Sequence, residues 1–182
     1  MSEIDNKARF PFDVKQERSD YCMPANIRAV SMHLKPGFSM TQSEIMIRYY
    51  ANGGPIQPSF GAMREHLLRV DPDFTSWADS EEISGLPNVE TFIQRLRATL
   101  ETRVPQIISV PVLLPGGGGI SGHHMLTVIK CDETNLEVYD PFDYPRVLRV
   151  PTPREISIDK LKQYLSLANS GVPDSLVLRL KV

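Results

Sequence analysis

At 182 residues, 41% of them hydrophobic and 23% charged, the chain is long enough to bury a core as one domain without metals or disulfides. A formal net charge of −2, with basic residues scattered rather than striped, argues against nucleic acid or an acidic membrane surface as a partner. Two cysteines, Cys22 and Cys131, make no disulfide framework; a reduced thiol is expected at each, with a single Cys22–Cys131 bridge as the alternative.

The opening stretch MSEIDNKARFPF has no apolar run of the signal-peptide kind. The longest apolar stretch, 107–114, contains Ser109 and Pro111 and is too short to span a bilayer. The expected location is therefore cytoplasmic, or inside another cell after secretion by a route that reads no classical signal. Pro24–Leu34 has Ile27, Val30 and Leu34 at helical spacing, with Pro24 in the first turn and Pro36-Gly37 beyond the end. The run Thr41-Gln-Ser-Glu44 is a capping box that opens a second helix to about Tyr50. A Gly- and Pro-rich loop follows, and Ser59 opens a third helix through Met63, Leu67, Leu68 and Val70. Residues 71–87 show weak periodicity and several turn signals, and read as a surface linker with Trp77 packed on one half. Val89–Leu100 is amphipathic, with Phe92, Ile93, Leu96 and Leu100 on one face.

From there the period shifts towards two. Gln106–Leu114, His124–Cys131, Leu136–Tyr139 and Arg146–Val150 read as strands, with 132–135 as a hairpin turn. Asp159–Leu167 reads as a helix on the sheet and Ser175–Leu180 as a closing strand. The whole is an α+β arrangement in one domain over 1–182, mainly helical over 1–103 and mainly antiparallel sheet over 104–182. The glycines at 116–119 form a loop without the Lys-Ser/Thr of a phosphate loop, so nucleotide binding is rejected.

The chemistry centres on Cys22, just before Pro24 at a helix start. Orphan N–H groups and the helix dipole there favour a thiolate, the form a nucleophile needs. A free cysteine is more often a small core residue, so Cys22 needs company. Gln16, six residues upstream in a loop, can bring a side-chain amide beside the thiol and donate to an oxyanion together with the Cys22 backbone N–H; an exposed loop glutamine is the bland alternative. In Gly122-His-His-Met-Leu-Thr-Val-Ile, alternation puts His124, Leu126 and Val128 on one face of the strand. His123, Met125, Thr127 and Ile129 take the other. One histidine can face the Cys22 helix, and spacing alone leaves both open; adjacent strand positions point apart, which disfavours a metal pair. Asp140, ending the next strand before Pro141, can accept the ring N–H of that histidine and hold its tautomer, or can be an ordinary turn aspartate. Asp20 is expected to cap the helix. His33 and His66 are expected on the surface or in packing and Cys131 in the core, while Asp71-Pro-Asp73 lacks the rest of a calcium loop.

The segments Q-E-R-S-D-Y-C-M-P-A, G-H-H-M-L-T-V-I-K-C-D and L-E-V-Y-D-P together resemble the papain-like cysteine peptidases. Among these they are most similar to the bacteriocin-processing, double-glycine-leader peptidases and their stand-alone, effector-like relatives. The likeness spans residues 16 to 141 in the order Gln, Cys, His, Asp. It implies a papain-like fold, with the nucleophile at a helix N-terminus packed on an antiparallel sheet. It also implies Cys22 as nucleophile, His124 as general base and acid, Asp140 as its orienter and Gln16 as oxyanion donor. No cofactor or metal is called for. Met23 stands where the family usually has glycine, which the resemblance suggests narrows or reshapes the cleft wall, and His123 duplicates the histidine. The implied function is cleavage of a protein or peptide substrate after Gly-Gly. A chain of this kind could serve as an interbacterial toxin effector restrained by an immunity protein. Other acyl transfers on the same triad (deamidation, transpeptidation, cell-wall amide hydrolysis) and an inactive peptide-binding module are the alternatives.

Overall fold

A computed structural model of the chain describes residues 10–113, 120–142, 154–167 and 171–181. Helix α1 (Cys22–Leu34) begins at the cysteine itself, and its face of Met23, Ile27 and Val30 is buried. Pro24 is tolerated two residues into it because the first N–H groups of a helix have no partner to lose. Helix α2 (Gln42–Ala51) carries the full capping box: Thr41 Oγ1 accepts from the Glu44 N–H, and the Glu44 carboxylate accepts from the Thr41 N–H at 2.7 Å. Ser59 caps α3 (Phe60–Met63), which widens at once into a π-helical turn, Arg64–Leu68. The expected single helix over 59–70 therefore ends early. The wider turn sets the consecutive Leu67 and Leu68 both in the core and leaves Val70 exposed beyond it.

Residues 71–87 are not a surface linker. Asp71 caps a short helix, α4 (Pro72–Thr75), and strand β1 (Ala78–Ile83) follows. β1 pairs antiparallel with β6 (Ser175–Leu180), from Ala78 opposite Leu180 to Ile83 opposite Ser175. A strand whose hydrogen bonds come from a partner about a hundred residues away leaves little local pattern. Trp77 packs near the rings of Phe38 and Phe74. Asn88 caps α5 (Val89–Glu101).

The remaining strands are β2 (Gln106–Leu113), β3 (Ile120–Cys131), β4 (Asn135–Tyr139) and β5 (Arg154–Ser157), and helix α6 (Ile158–Leu167) follows them. β5 has no counterpart in the sequence reading, and β3 begins four residues earlier than expected. The expected strand Arg146–Val150 and the glycine run 116–119 lie outside the described residues. All pairings are antiparallel, in the order β1-β6-β2-β3-β4-β5. Asp132 Oδ1 accepts from the N–H groups of Thr134 and Asn135 and closes the β3–β4 turn.

Alternation along the strands divides the core in two. Ile107, Met125, Ile129, Tyr139, Leu176 and Leu178 pack with α1, α2 and α3. Ile108, Val110, Leu126, Val128, Leu136 and Val138 pack with α5 and α6. Among the described residues no helix is long and apolar enough to cross a membrane.

Candidate active site

Cys22 is the first residue of α1, and its cap position, Tyr21, offers no side-chain hydrogen bond. Asp20, expected to cap, instead pairs with Arg18 at 3.3 Å in solvent, because it lies one residue too far from the helix start. The result suits a thiolate: no carboxylate competes for the N–H groups of the first turn, and the Met23 N–H is hydrogen-bonded to the sulfur.

β4 pairs with β3 only from Thr127, opposite Tyr139. Past that point α1 meets the edge of β3 instead. The Met125 N–H is hydrogen-bonded to the Cys22 sulfur, and the Met125 carbonyl accepts from Asn26 Nδ2 at 2.8 Å. This edge brings His124 to Cys22. The His124 ring is hydrogen-bonded to the thiol, and its Nε2 lies 2.7 Å from Asp140 Oδ1, which leaves Nδ1 as the nitrogen for the sulfur. Asp140 follows the end of β4, and its Oδ1 also accepts from the Phe142 N–H at 2.9 Å. Arg154 of β5 reaches the other oxygen, with Nη1 at 3.6 Å from Oδ2. The Phe142 ring lies edge-on to the imidazole with centroids 6.0 Å apart. His123 is exposed.

The electrostatics follow from these partners. Burial by itself pushes the Cys22 thiol up, but the hydrogen bonds from His124 and from the Met125 and Met23 N–H groups, with the charge of His124, hold it below its ordinary value. Burial by itself pulls His124 down, but hydrogen bonds and charge from Asp140 and Cys22 carry it up to about 9. The two shifts run in opposite senses, and each favours the charged form of its group, thiolate beside imidazolium. Cys131 is half-buried with its thiol pushed up by burial, which suits packing rather than reactivity.

Gln16 stands beside the same strand end, its backbone N–H donating to the Pro141 carbonyl at 2.9 Å. Its side-chain Nε2 donates to the Arg18 carbonyl at 2.6 Å, which uses one of two amide hydrogens and leaves the other. No hydrogen bond joins the Gln16 side chain to Cys22 in this structure; Oε1 is buried with no partner among the described residues. Buried Gln42 holds the segment from both sides, its Oε1 accepting from the Glu17 N–H at 3.0 Å and its Nε2 donating to the Lys15 carbonyl. Met23, expected in the cleft wall, is 2% exposed and lies in the core between α1 and the sheet. Asp71 and Asp73 are the partners of Arg48, at 3.2 and 2.6 Å. His66 packs edge-on to Tyr49 with Nδ1 2.9 Å from the Asn52 carbonyl, and His33 packs by Phe10.

The sequence reading gave Asn26, Thr127, Gln42 and Arg154 no part in the site. The first carried a signal: asparagine is a poor residue for the second turn of a helix unless its amide has work there.

No protein-family model matches the chain, and no curated protein sequence does. Among solved structures, a Bacillus anthracis protein provisionally described as a C39-like peptidase superposes with a TM-score of 0.55. The match covers 94% of this chain and 98% of that one at 12% identity. The fold is papain-like. At that identity the likeness concerns architecture, and an α+β fold with the nucleophile candidate at a helix N-terminus against an antiparallel sheet agrees with it.

Proposed function

We propose that the chain is a cysteine peptidase with Cys22 as nucleophile, His124 as base and acid, Asp140 as orienter and Gln16 as an oxyanion donor. The observation that carries this reading is the continuous Cys22–His124–Asp140 hydrogen-bonded chain, with its lowered thiol and raised imidazole.

In this mechanism the Cys22 thiolate attacks the scissile carbonyl carbon, and the π electrons move to its oxygen. The oxyanion takes hydrogen bonds from the Cys22 N–H, which has no partner inside the helix, and from the free amide hydrogen of Gln16. His124 gives its Nδ1 proton to the departing amine as the C–N bond breaks, leaving a thioester on Cys22. The neutral imidazole then takes a proton from water, hydroxide adds to the thioester, and the acid leaves as the thiolate is restored. Asp140 keeps Nε2–H engaged throughout, so Nδ1 always faces the sulfur.

The substrate is a protein cut after Gly-Gly, a specificity that rests on the likeness of the Cys22 and His124 segments to the double-glycine peptidases. That likeness also supports a role as an interbacterial effector held in check by an immunity protein at the cleft. Wild-type chain and Cys22→Ala are expressed in cells and new protein N-termini are compared. Cuts that recur after Gly-Gly in the wild type alone support the reading. If no new termini depend on Cys22, peptide hydrolysis is wrong.

A further inference from the structure

Asn26 is fully buried in the second turn of α1, and every polar atom of its amide is used. Nδ2 donates to the Cys22 carbonyl at 2.7 Å and to the Met125 carbonyl at 2.8 Å, while Oδ1 accepts from the Thr127 hydroxyl at 2.6 Å. Thr127 is likewise fully buried. One amide thus joins the carbonyl of the nucleophile candidate to the carbonyl of the residue after the histidine, across the line where β4 stops.

From this geometry we infer that Asn26 and Thr127 are positioning residues that set the Cys22–His124 separation, and so the stability of the thiolate–imidazolium pair. The inference rests on the proposed reading of Cys22 and His124. Without the bridge, α1 is free to slide or tilt against the edge of β3, and a hydrogen bond between sulfur and ring is lost with a displacement well under 1 Å. Thr127 has a separate task. An asparagine amide can turn over, and Oδ1 placed against two carbonyl oxygens would be repelled. The Cys22 and Met125 carbonyls, which can only accept, fix Nδ2 on their side, and the Thr127 hydroxyl supplies the donor that the buried Oδ1 then needs.

The test uses the whole chain and needs no substrate. The rate of Cys22 alkylation by iodoacetamide, read by mass spectrometry across pH 4–10, locates the acid-side inflection at which thiolate forms. Thr127→Val keeps the shape and removes the hydroxyl; Thr127→Ser restores it; Asn26→Leu removes the bridge. The inflection is expected to move up by about one pH unit in Asn26→Leu and by about half that in Thr127→Val, as the loss of one or two ordinary hydrogen bonds implies. Thr127→Ser should return to within about 0.2 of wild type. Thermal midpoints are measured alongside. If Thr127→Val melts earlier while its inflection stays with wild type, the pair is scaffolding and the inference is overturned. Should Asn26→Leu fail to fold, Thr127→Val and Thr127→Ser still decide it. A wild-type Cys22 that alkylates only above pH 8 would instead overturn the peptidase reading, and positioning with it.

Discussion

Replacing Asp140 by asparagine keeps the shape of the side chain and removes its charge. Oδ1 can still accept from His124 Nε2 and from the Phe142 N–H, now as a neutral amide oxygen. A hydrogen bond to a charged partner contributes about 1.5–3 kcal/mol, against about 0.5–1.5 kcal/mol for a neutral one, so roughly 1–2 kcal/mol of preference for the imidazolium is lost. The lost Coulomb attraction adds to this, and at 1.36 kcal/mol per pH unit His124 should fall from about 9 to about 7–8. The ring proton of His124, followed by NMR from pH 5 to 11, reports this directly. There is a stability consequence with a defined sign. His124 is raised above its unfolded value of about 6.5, so its contribution, on the order of 3 kcal/mol, is complete below pH ~6.5 and lost as pH rises through about 9. The destabilisation caused by Asp140→Asn, read from urea titrations, should therefore be larger at pH 6 than at pH 10. A His124 that titrates at about 9 in both proteins, or near 6.5 in the wild type, refutes the reasoning.

Cys22→Ser removes the thiolate that helps hold His124 protonated, so His124 should titrate lower than in the wild type, and an NMR titration unchanged by the substitution would separate the two residues. At the other end of the fold, a Cβ on Gly54 would stand 2.4 Å from the ring of fully buried Tyr49. Gly54→Ala should cost about 1–3 kcal/mol of stability through overpacking, seen as a lowered urea midpoint with Cys22 alkylation unchanged. Asn88→Ala removes the Oδ1 that accepts from the Thr91 N–H at the start of α5. It should cost about 1 kcal/mol, checked by thermal melting.

Local signals were legible wherever a short stretch of chain decides its own structure. The Thr41–Glu44 capping box, the amphipathic face of α5 and the closing strand β6 all lie where their residues point. What the sequence could not carry was pairing between distant segments. β1, Ala-Asp-Ser-Glu-Glu-Ile, is polar enough to pass for a loop because it lies at the sheet edge with only Ala78, Ser80 and Ile83 turned inward. β5 is short, mostly exposed and defined by its bonds to β4. The same limit governs the two histidines. Strand alternation places His123, not His124, on the face that Met125, Thr127 and Ile129 turn towards α1. A choice made on faces alone would have picked His123.

The histidine at the thiol is His124 because the contact is made at an edge rather than a face. β4 gives way to Asp140 just where α1 begins, and the gap admits the Cys22 sulfur to the Met125 N–H and the ring beside it. Edges of this kind arise where one strand outlasts its neighbour, a property of two segments at once. The same gap lets Asp140 leave the sheet and turn back on the histidine, and lets the Gln16 segment pair with Pro141 through one peptide hydrogen bond. Three of the four candidate groups are thus gathered by the point at which β4 ends, and Cys22 is delivered there by the first turn of a helix. A change that lengthened β4 by two residues along β3 would cover the edge and displace the sulfur while leaving every candidate side chain in the sequence.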